Sequence, residues 1–166
     1  MIKLIRYQQY TRQDVHDIFS PDTVFTPQAG TWGLQGIVQI PGRAADFVFF
    51  VTFGQKQAHH VFDEGITTDG VLTWQSQPSQ RLLDRQIQQF INHNEDVNSI
   101  YLFLRTAQGK DYAYLGKLKY LAHDREREQP VHFQWQILDW NIPREILTKS
   151  NWNWNPARQT RPLPLK

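Results

Sequence analysis

The chain has 166 residues, with 18 Lys and Arg against 16 Asp and Glu, six Trp and no Cys. Its length fits a single domain, and the absence of Cys excludes disulfide-stapled scaffolds, thiolate nucleophiles and Cys-ligated zinc. No apolar run approaches the roughly 20 residues that a membrane-spanning helix needs, and the first residues turn polar too early for a signal peptide. A cytoplasmic protein that does not bind membranes is therefore expected.

The charges are divided unevenly along the chain. Residues 146–166 carry four basic residues and no acidic ones, so residues 1–145 carry 14 basic and 16 acidic residues. Proteins that hold nucleic acid by bulk charge normally have a basic body, so any nucleic-acid binding here must depend on local geometry. Pro and Asn without a sustained period predict that 146–166 is an extended tail or linker, and 1–145 is predicted to be one domain.

The first half of the chain predicts one short helix followed by strands. Thr11 and Asp14 form a capping box, and the helix that they start ends at the turn signal Ser20-Pro21. The run at 47–53 is apolar except for Thr52, which is typical of a strand buried on both faces. Further strands are predicted at 34–40, 59–62 and 71–75, with loops at 28–33 and 63–70.

The second half predicts a longer helix and a hairpin. Pro78-Ser79 marks a helix start, and four apolar residues recur at helical spacing up to about residue 93: Leu83, Ile87, Phe90 and Ile91. Strands at 100–105 and 112–120 flank Gln108-Gly109 as a hairpin, and a last strand is predicted at 131–138. The fold predicted is α+β, with a curved or partly closed mixed β-sheet flanked by two helices.

Catalytic patterns are weak in this sequence. His59 and His60 are adjacent, so on a strand they point to opposite faces and cannot share a metal. The strings Ser99-Ile100-Tyr101 and Tyr114-Leu115-Gly116 are spaced like the halves of the GIY-YIG nuclease signature, but the first Gly is missing. A nuclease that uses Tyr101 and Tyr114 stays a minor alternative. The sequence predicts a noncatalytic binding domain with no cofactor and no metal.

A candidate binding site lies where the strand at 71–75 ends. Aromatic rings can stack a base, amides and carboxylates can bond its polar edge, and cations can contact phosphates. Arg81 and Arg85 are predicted one helical turn apart, as a phosphate clamp, beside free N–H groups at the helix start. The candidate residues are Tyr10, Arg12, Trp32, Gln35, Asp63, Trp74, Gln75, Ser76, Gln77, Arg81 and Arg85.

Five strings occur in an order that resembles a known domain family: YTRQDV at 10–15, FVFFVTFGQK at 47–56, LTWQSQ at 72–77, YLFLR at 101–105 and YAYLG at 112–116. This family, formerly of unknown function, is found at the C-terminus of restriction helicase–nucleases, including type IV enzymes that cut cytosine-methylated DNA. The resemblance covers about Tyr7 to Leu138. It implies a target-recognition domain similar to base-flipping SRA-type or PUA-like modules, with the helicase and nuclease located elsewhere.

Together, residues and resemblance predict a domain that recognises modified duplex DNA, with 5-methylcytosine favoured, by extruding the base into an aromatic pocket. Burying one methyl group gains only about 0.8 kcal/mol, so a methyl reader also needs a shaped aromatic cage. The expected partners are modified double-stranded DNA and the nuclease or helicase part of a restriction system. The alternative is sequence-specific recognition of unmodified DNA, as in B3-like effector modules.

Overall fold

The computed structural model describes the backbone of residues 3–53, 56–57, 60–61 and 65–140, and the side chains of 3–53 and 65–140. Its helices are α1 (Arg12–Phe19), α2 (Gly30–Leu34) and α3 (Arg85–Ile91). Its strands are β1 (Gln9–Tyr10), β2 (Ile37–Gln39), β3 (Phe47–Thr52), β4 (Lys56–Gln57), β5 (His60–Val61), β6 (Gly65–Ile66), β7 (Val71–Gln75), β8 (Ile100–Arg105), β9 (Tyr112–His123) and β10 (His132–Ile137). Within these ranges no helix is long and apolar enough to cross a membrane.

Eight of the strands form one mixed sheet. Its order is β2-β3-β8-β9-β10-β7-β6, and β1 pairs with β9. The central pair β3 and β8 is parallel, with Phe47 opposite Ile100 and Thr52 opposite Arg105, and the other pairs are antiparallel. The edges β2 and β6 do not pair with each other, so this sheet is not closed into a barrel.

The long strand β9 bends the sheet. Its first part, Ala113–Lys117, pairs with β8, and the part from Leu118 to His123 pairs with β10. Register shifts interrupt both ladders, at Leu102/Phe103 and at Gln134/Trp135. Since irregularities of this kind increase local twist and bend a strand, the two halves of the sheet turn toward each other.

Helix α3 fills the space between the two halves. The ring of Phe90 lies 4.9 Å from that of Phe47 and 5.3 Å from that of Phe49, both on β3. On the other half, the same ring lies 5.9 Å from that of Phe133 and 5.7 Å from that of Trp135. One side chain therefore holds both halves, and the curved mixed α+β sheet that the sequence predicted is confirmed.

Strand β3 is buried on both faces, as its apolar run predicted. Phe49 belongs to the core around α3, whereas Phe50 belongs to a second core beneath α1. Helix α1 covers that second core with Val15 and Phe19. Its predicted capping box is also present, because Thr11 Oγ1 accepts a hydrogen bond from the Asp14 backbone.

Several element boundaries differ from the prediction. The loop predicted at 28–33 contains most of α2, a third helix, and the strand predicted at 34–40 shortens to β2. The loop predicted at 63–70 contains β6. Of the strand predicted at 59–62, the structure describes β5, and the tail at 146–166 lies outside the described residues.

The start of α3 was predicted about six residues too early. The helix begins at Arg85 rather than near Ser79, and Leu83, predicted on its apolar face, is 87% exposed. The Gln77 backbone N–H donates to Gln80 Oε1, and the Arg81 N–H donates to Asp84 Oδ2. Such side-chain bonds hold the segment in turns instead of a helix.

Candidate functional site

A cavity of about 720 Å³ lies where β7 comes close to β2 and β3 without pairing with them. The ring of Trp74 on β7 lies 4.9 Å from that of Phe49 on β3. A Cβ built on Gly36, just before β2, would lie 3.8 Å from the same indole. The cavity volume falls within the range of about 300–1,000 Å³ that ligand sites occupy.

Aromatic side chains form part of the cavity lining. Phe25, Phe50 and Trp74 all line it. Trp74 and Phe25 are half-buried, whereas Phe50 is 3% exposed. The indole of Trp74 is therefore anchored on the core and still presents surface to the cavity.

Arg12 is held in the wall by α2 and β3. Its Nη1 donates to the carbonyl oxygens of Trp32 at 3.1 Å and Gln35 at 2.8 Å. Its guanidinium carbon lies 4.3 Å from the centre of the Phe50 ring. Burial lowers the pKa of this guanidinium, and the nearby Tyr112 hydroxyl offsets part of that shift.

A second guanidinium lies at the end of β8. Arg105 Nε donates to Thr52 Oγ1 at 2.8 Å, and its Nη2 donates to Gln108 Oε1 at 2.9 Å. The guanidinium carbon of Arg105 lies 4.5 Å from the centre of the Tyr112 ring, and that of Arg12 lies 5.5 Å from the same centre. Among the lining residues that the structure describes none is acidic, so the cavity is locally cationic in a mildly acidic body.

Polar residues at the end of β7 complete the lining. Gln75 is 8% exposed, and its Nε2 has no hydrogen-bond partner among the described residues. The Ser76 hydroxyl is used internally, since it accepts from the Val131 N–H at 2.8 Å and donates to the Gln77 carbonyl at 3.2 Å. The buried Nε2 of Gln75 is thus a donor that a ligand in the cavity can hydrogen-bond.

The structure brings five of the predicted site residues to this cavity: Arg12, Trp74, Gln75, Ser76 and Gln77. Trp32 and Gln35 lie behind it and contribute the backbone carbonyls that hold Arg12. The Trp32 ring stacks on that of Phe19 at 6.3 Å. Contact of Trp32 and Gln35 with DNA stays a prediction.

Three of the other predicted residues lie apart from the cavity. Tyr10 is 7% exposed, and its ring meets that of Phe103 edge-on at 5.8 Å. The prediction that Arg81 and Arg85 lie on one helix is wrong, because Arg81 precedes α3 and its Nε lies 4.0 Å from Glu128 Oε2. Contact of Tyr10, Arg81 and Arg85 with DNA stays a prediction. Asp63 lies outside the described residues.

Sequence reasoning missed most of the other lining residues, among them Phe25, Phe50, Arg105 and Gln108. Phe50 was assigned to the core, and Phe25 lies in a segment without periodicity. Arg105 did carry a signal, since it is the one charged residue of β8, IYLFLR. A cation that ends an apolar strand is a reasonable candidate for a site at the sheet margin.

The tyrosines of the alternative nuclease pattern are core residues. Tyr101 is 6% exposed and Tyr114 is 7% exposed. Burial raises the pKa of Tyr114 to about 12. No group of three His, Asp or Glu residues in the described part of the chain is placed to hold a metal ion.

The sequence matches the model of a known domain family. The sequence model described as "Domain of unknown function (DUF3427)" matches residues 4–149, most of the chain. The chain belongs to the DUF3427 family. No curated protein matches the sequence of this DUF3427 domain significantly.

Solved structures share the fold of this DUF3427 domain. The SUVH5 SRA domain in complex with hemi-methylated CG DNA matches with a TM-score of 0.53 and 12% identity, over 85% of this chain and 94% of that one. The same domain bound to fully hydroxymethylated CG DNA matches with a TM-score of 0.53 and 10% identity, over 86% of this chain and 97% of that one. The complex of that SRA domain with methylated CHH DNA matches with a TM-score of 0.51 and 11% identity, over 82% of this chain and 90% of that one. At these identities the likeness establishes an SRA-like fold.

Proposed function

We propose that this DUF3427 domain binds duplex DNA and takes an extruded, modified cytosine into the cavity beside Trp74. In this proposal it is the noncatalytic targeting part of a restriction system, and nuclease and helicase reside in other domains or subunits. The observation that carries it is the combination, in one cavity, of an anchored indole, two guanidiniums and the buried Nε2 of Gln75, which has no partner in the described part of the chain. The SRA-like fold supports it, since the solved SUVH5 SRA structures contain methylated or hydroxymethylated DNA.

Trp74 and Gln75 would hold the base. Stacking a base on an aromatic ring contributes on the order of 1–3 kcal/mol, which offsets much of the few kcal/mol needed to unstack it from the duplex. The exocyclic carbonyl oxygen and the unprotonated ring nitrogen of cytosine can accept from the Gln75 amide. A buried donor without a partner costs about 1–3 kcal/mol, so an accepting base would remove that cost.

Arg12 and Arg105 would hold the backbone of the extruded nucleotide. Guanidinium groups bind phosphate through charge-assisted, often bidentate hydrogen bonds, and such contacts fix the register of a protein on DNA. Leu34 lines the same cavity and is 66% exposed. We assign it to the duplex side, because apolar side chains inserted between base steps stabilise distorted DNA.

The test is a titration of labelled duplexes of identical sequence at one salt concentration, with cytosine or 5-methylcytosine at a single position. We expect the methylated duplex to bind at least about fourfold more tightly, the value of one buried methyl group. A fluorescent base analogue at that position would brighten on extrusion. Equal affinities would contradict modified-DNA recognition. Enrichment of one unmodified motif from random duplexes would instead favour sequence-specific recognition.

A further inference from the structure

The cavity is larger than a methylated base requires. A 5-methylcytosine has about nine non-hydrogen atoms, whereas cavities of about 300–1,000 Å³ hold larger, drug-sized ligands. The cavity measures about 720 Å³. A ligand with a substituent larger than a methyl group therefore fits this cavity better.

The lining also offers more neutral hydrogen-bonding groups than a methyl group could use. Besides Gln75, the cavity is lined by Gln28 and Gln77. Neither of these two side chains makes a hydrogen bond to another described residue. Each amide presents two donors and one acceptor oxygen. This composition suits a ligand that both donates and accepts, which a methyl group does not.

We propose that the preferred ligand is a cytosine whose 5-position carries a hydroxyl-rich substituent of hexose size. This inference rests on the proposed function and specifies its substrate. A hexosyl-oxymethyl cytosine has about 21 non-hydrogen atoms, which is the size of ligand that such cavities hold. Sugar hydroxyls pair with the amides of Gln28 and Gln77, and the C–H face of the sugar ring packs on Phe25.

The size of the expected preference follows from hydrogen bonding. Each net neutral hydrogen bond changes affinity by about 2- to 12-fold, so two amides that engage the sugar give a preference of about 5- to 150-fold. Sites built to bond a hydroxyl discriminate strongly against analogues that lack it, because their own polar groups then stay unpaired.

The experiment compares four duplexes of one sequence, with cytosine, 5-methylcytosine, 5-hydroxymethylcytosine or glucosylated 5-hydroxymethylcytosine at the target position. We expect the glucosylated duplex to bind at least about fivefold more tightly than the hydroxymethylated one. If the methylated or hydroxymethylated duplex binds as tightly or more tightly while the unmodified one is weaker, the inference is wrong and the proposed function stands. If all four bind equally, both are wrong.

Two variants test the assigned residues. Gln28→Ala and Gln77→Ala should each reduce the ratio of glucosylated to hydroxymethylated affinity by about 2- to 12-fold. Gln13→Ala is the matched control, because Gln13 is exposed on α1 and does not line the cavity. The ratio should be unchanged in that variant. An unchanged ratio in both cavity variants would overturn the assignment.

Discussion

The indole of Trp74 contacts the core on one side and the cavity on the other, and the two roles can be separated. Trp74→Ala should weaken binding of modified DNA by about 5- to 150-fold, the equivalent of 1–3 kcal/mol of stacking. Phe49→Ala should lower the melting temperature more, because Phe49 is 1% exposed and truncation of a buried Phe costs about 3–5 kcal/mol. Titration and thermal unfolding of both variants measure the difference.

Trp74→Phe is the control for the ring itself. It keeps an aromatic surface and should retain most of the affinity. If Trp74→Ala instead unfolds the protein while Trp74→Phe binds like the wild type, the indole serves the core and its assignment to the pocket is wrong.

Arg105 tests the phosphate contacts. Arg105→Gln should lower the salt slope of DNA binding by about 0.9, the value for one neutralised phosphate, with a similar loss of affinity for every sequence. Arg43→Gln removes the same charge beyond the opposite end of β3, where Arg43 Nη1 lies 3.2 Å from Asp46 Oδ2. An equal drop in slope for the two variants would show that Arg105 has no specific phosphate contact.

At this scale the sequence identified Arg12 and the β7 wall of the cavity, but not Arg105. Trp74 to Gln77 are contiguous, so an aromatic residue followed by polar ones at a strand end was visible as a local pattern. Arg105 reaches the site because β3 and β8 run parallel with Thr52 opposite Arg105. Residues 53 positions apart carry no local signal of such pairing.

At the scale of elements, local signals also separate what could be predicted from what could not. The capping box of α1 and the apolar run of β3 are complete within a few residues, so both predictions are confirmed. The start of α3 depended on Gln80 and Asp84, whose side chains bond nearby backbone N–H groups. Pro78-Ser79 resembles a helix start, and only the tertiary structure shows whether the segment before Arg85 forms a helix or turns.

Helix α2 packs tightly on the preceding turn, which makes Gly33 a sensitive position. A Cβ at Gly33 would lie 2.2 Å from the Thr26 carbonyl oxygen. Gly33→Ala should therefore displace α2, together with the Trp32 and Gln35 carbonyls that hold Arg12, and cost about 1–3 kcal/mol of stability. Affinity for modified DNA should fall with it.

Thr31→Ala provides the comparison within the same helix, since Thr31 is exposed. Thermal unfolding and titration should give near wild-type values for this variant. A Gly33→Ala protein with unchanged melting temperature and affinity would show that the turn at 26–28 yields without disturbing the cavity.

For the whole molecule, the distribution of charge predicts a weak dependence on salt. The cavity contributes Arg12 and Arg105, so two phosphate contacts give a slope near −1.8. Residues 150–166 carry three further cations, Arg158, Arg161 and Lys166, and follow the segment that the family matches. A chain shortened to residue 149 should keep its preference for modified cytosine and show that slope. Loss of the preference would place part of the recognition in 150–166.

The unpaired approach of β7 to β2 has a consequence for motion. No backbone ladder joins these two strands in the described sheet, so the walls of the cavity can separate without breaking main-chain hydrogen bonds. Amide hydrogen exchange should then slow on DNA binding at 33–36 and 75–77, where the ligand joins the two walls. The amides of β3, β8 and β9 should exchange equally slowly with and without DNA, because their ladders are complete in both states. The bound base then links the two walls that no backbone ladder joins, and the distance between these walls follows the size of the base that enters.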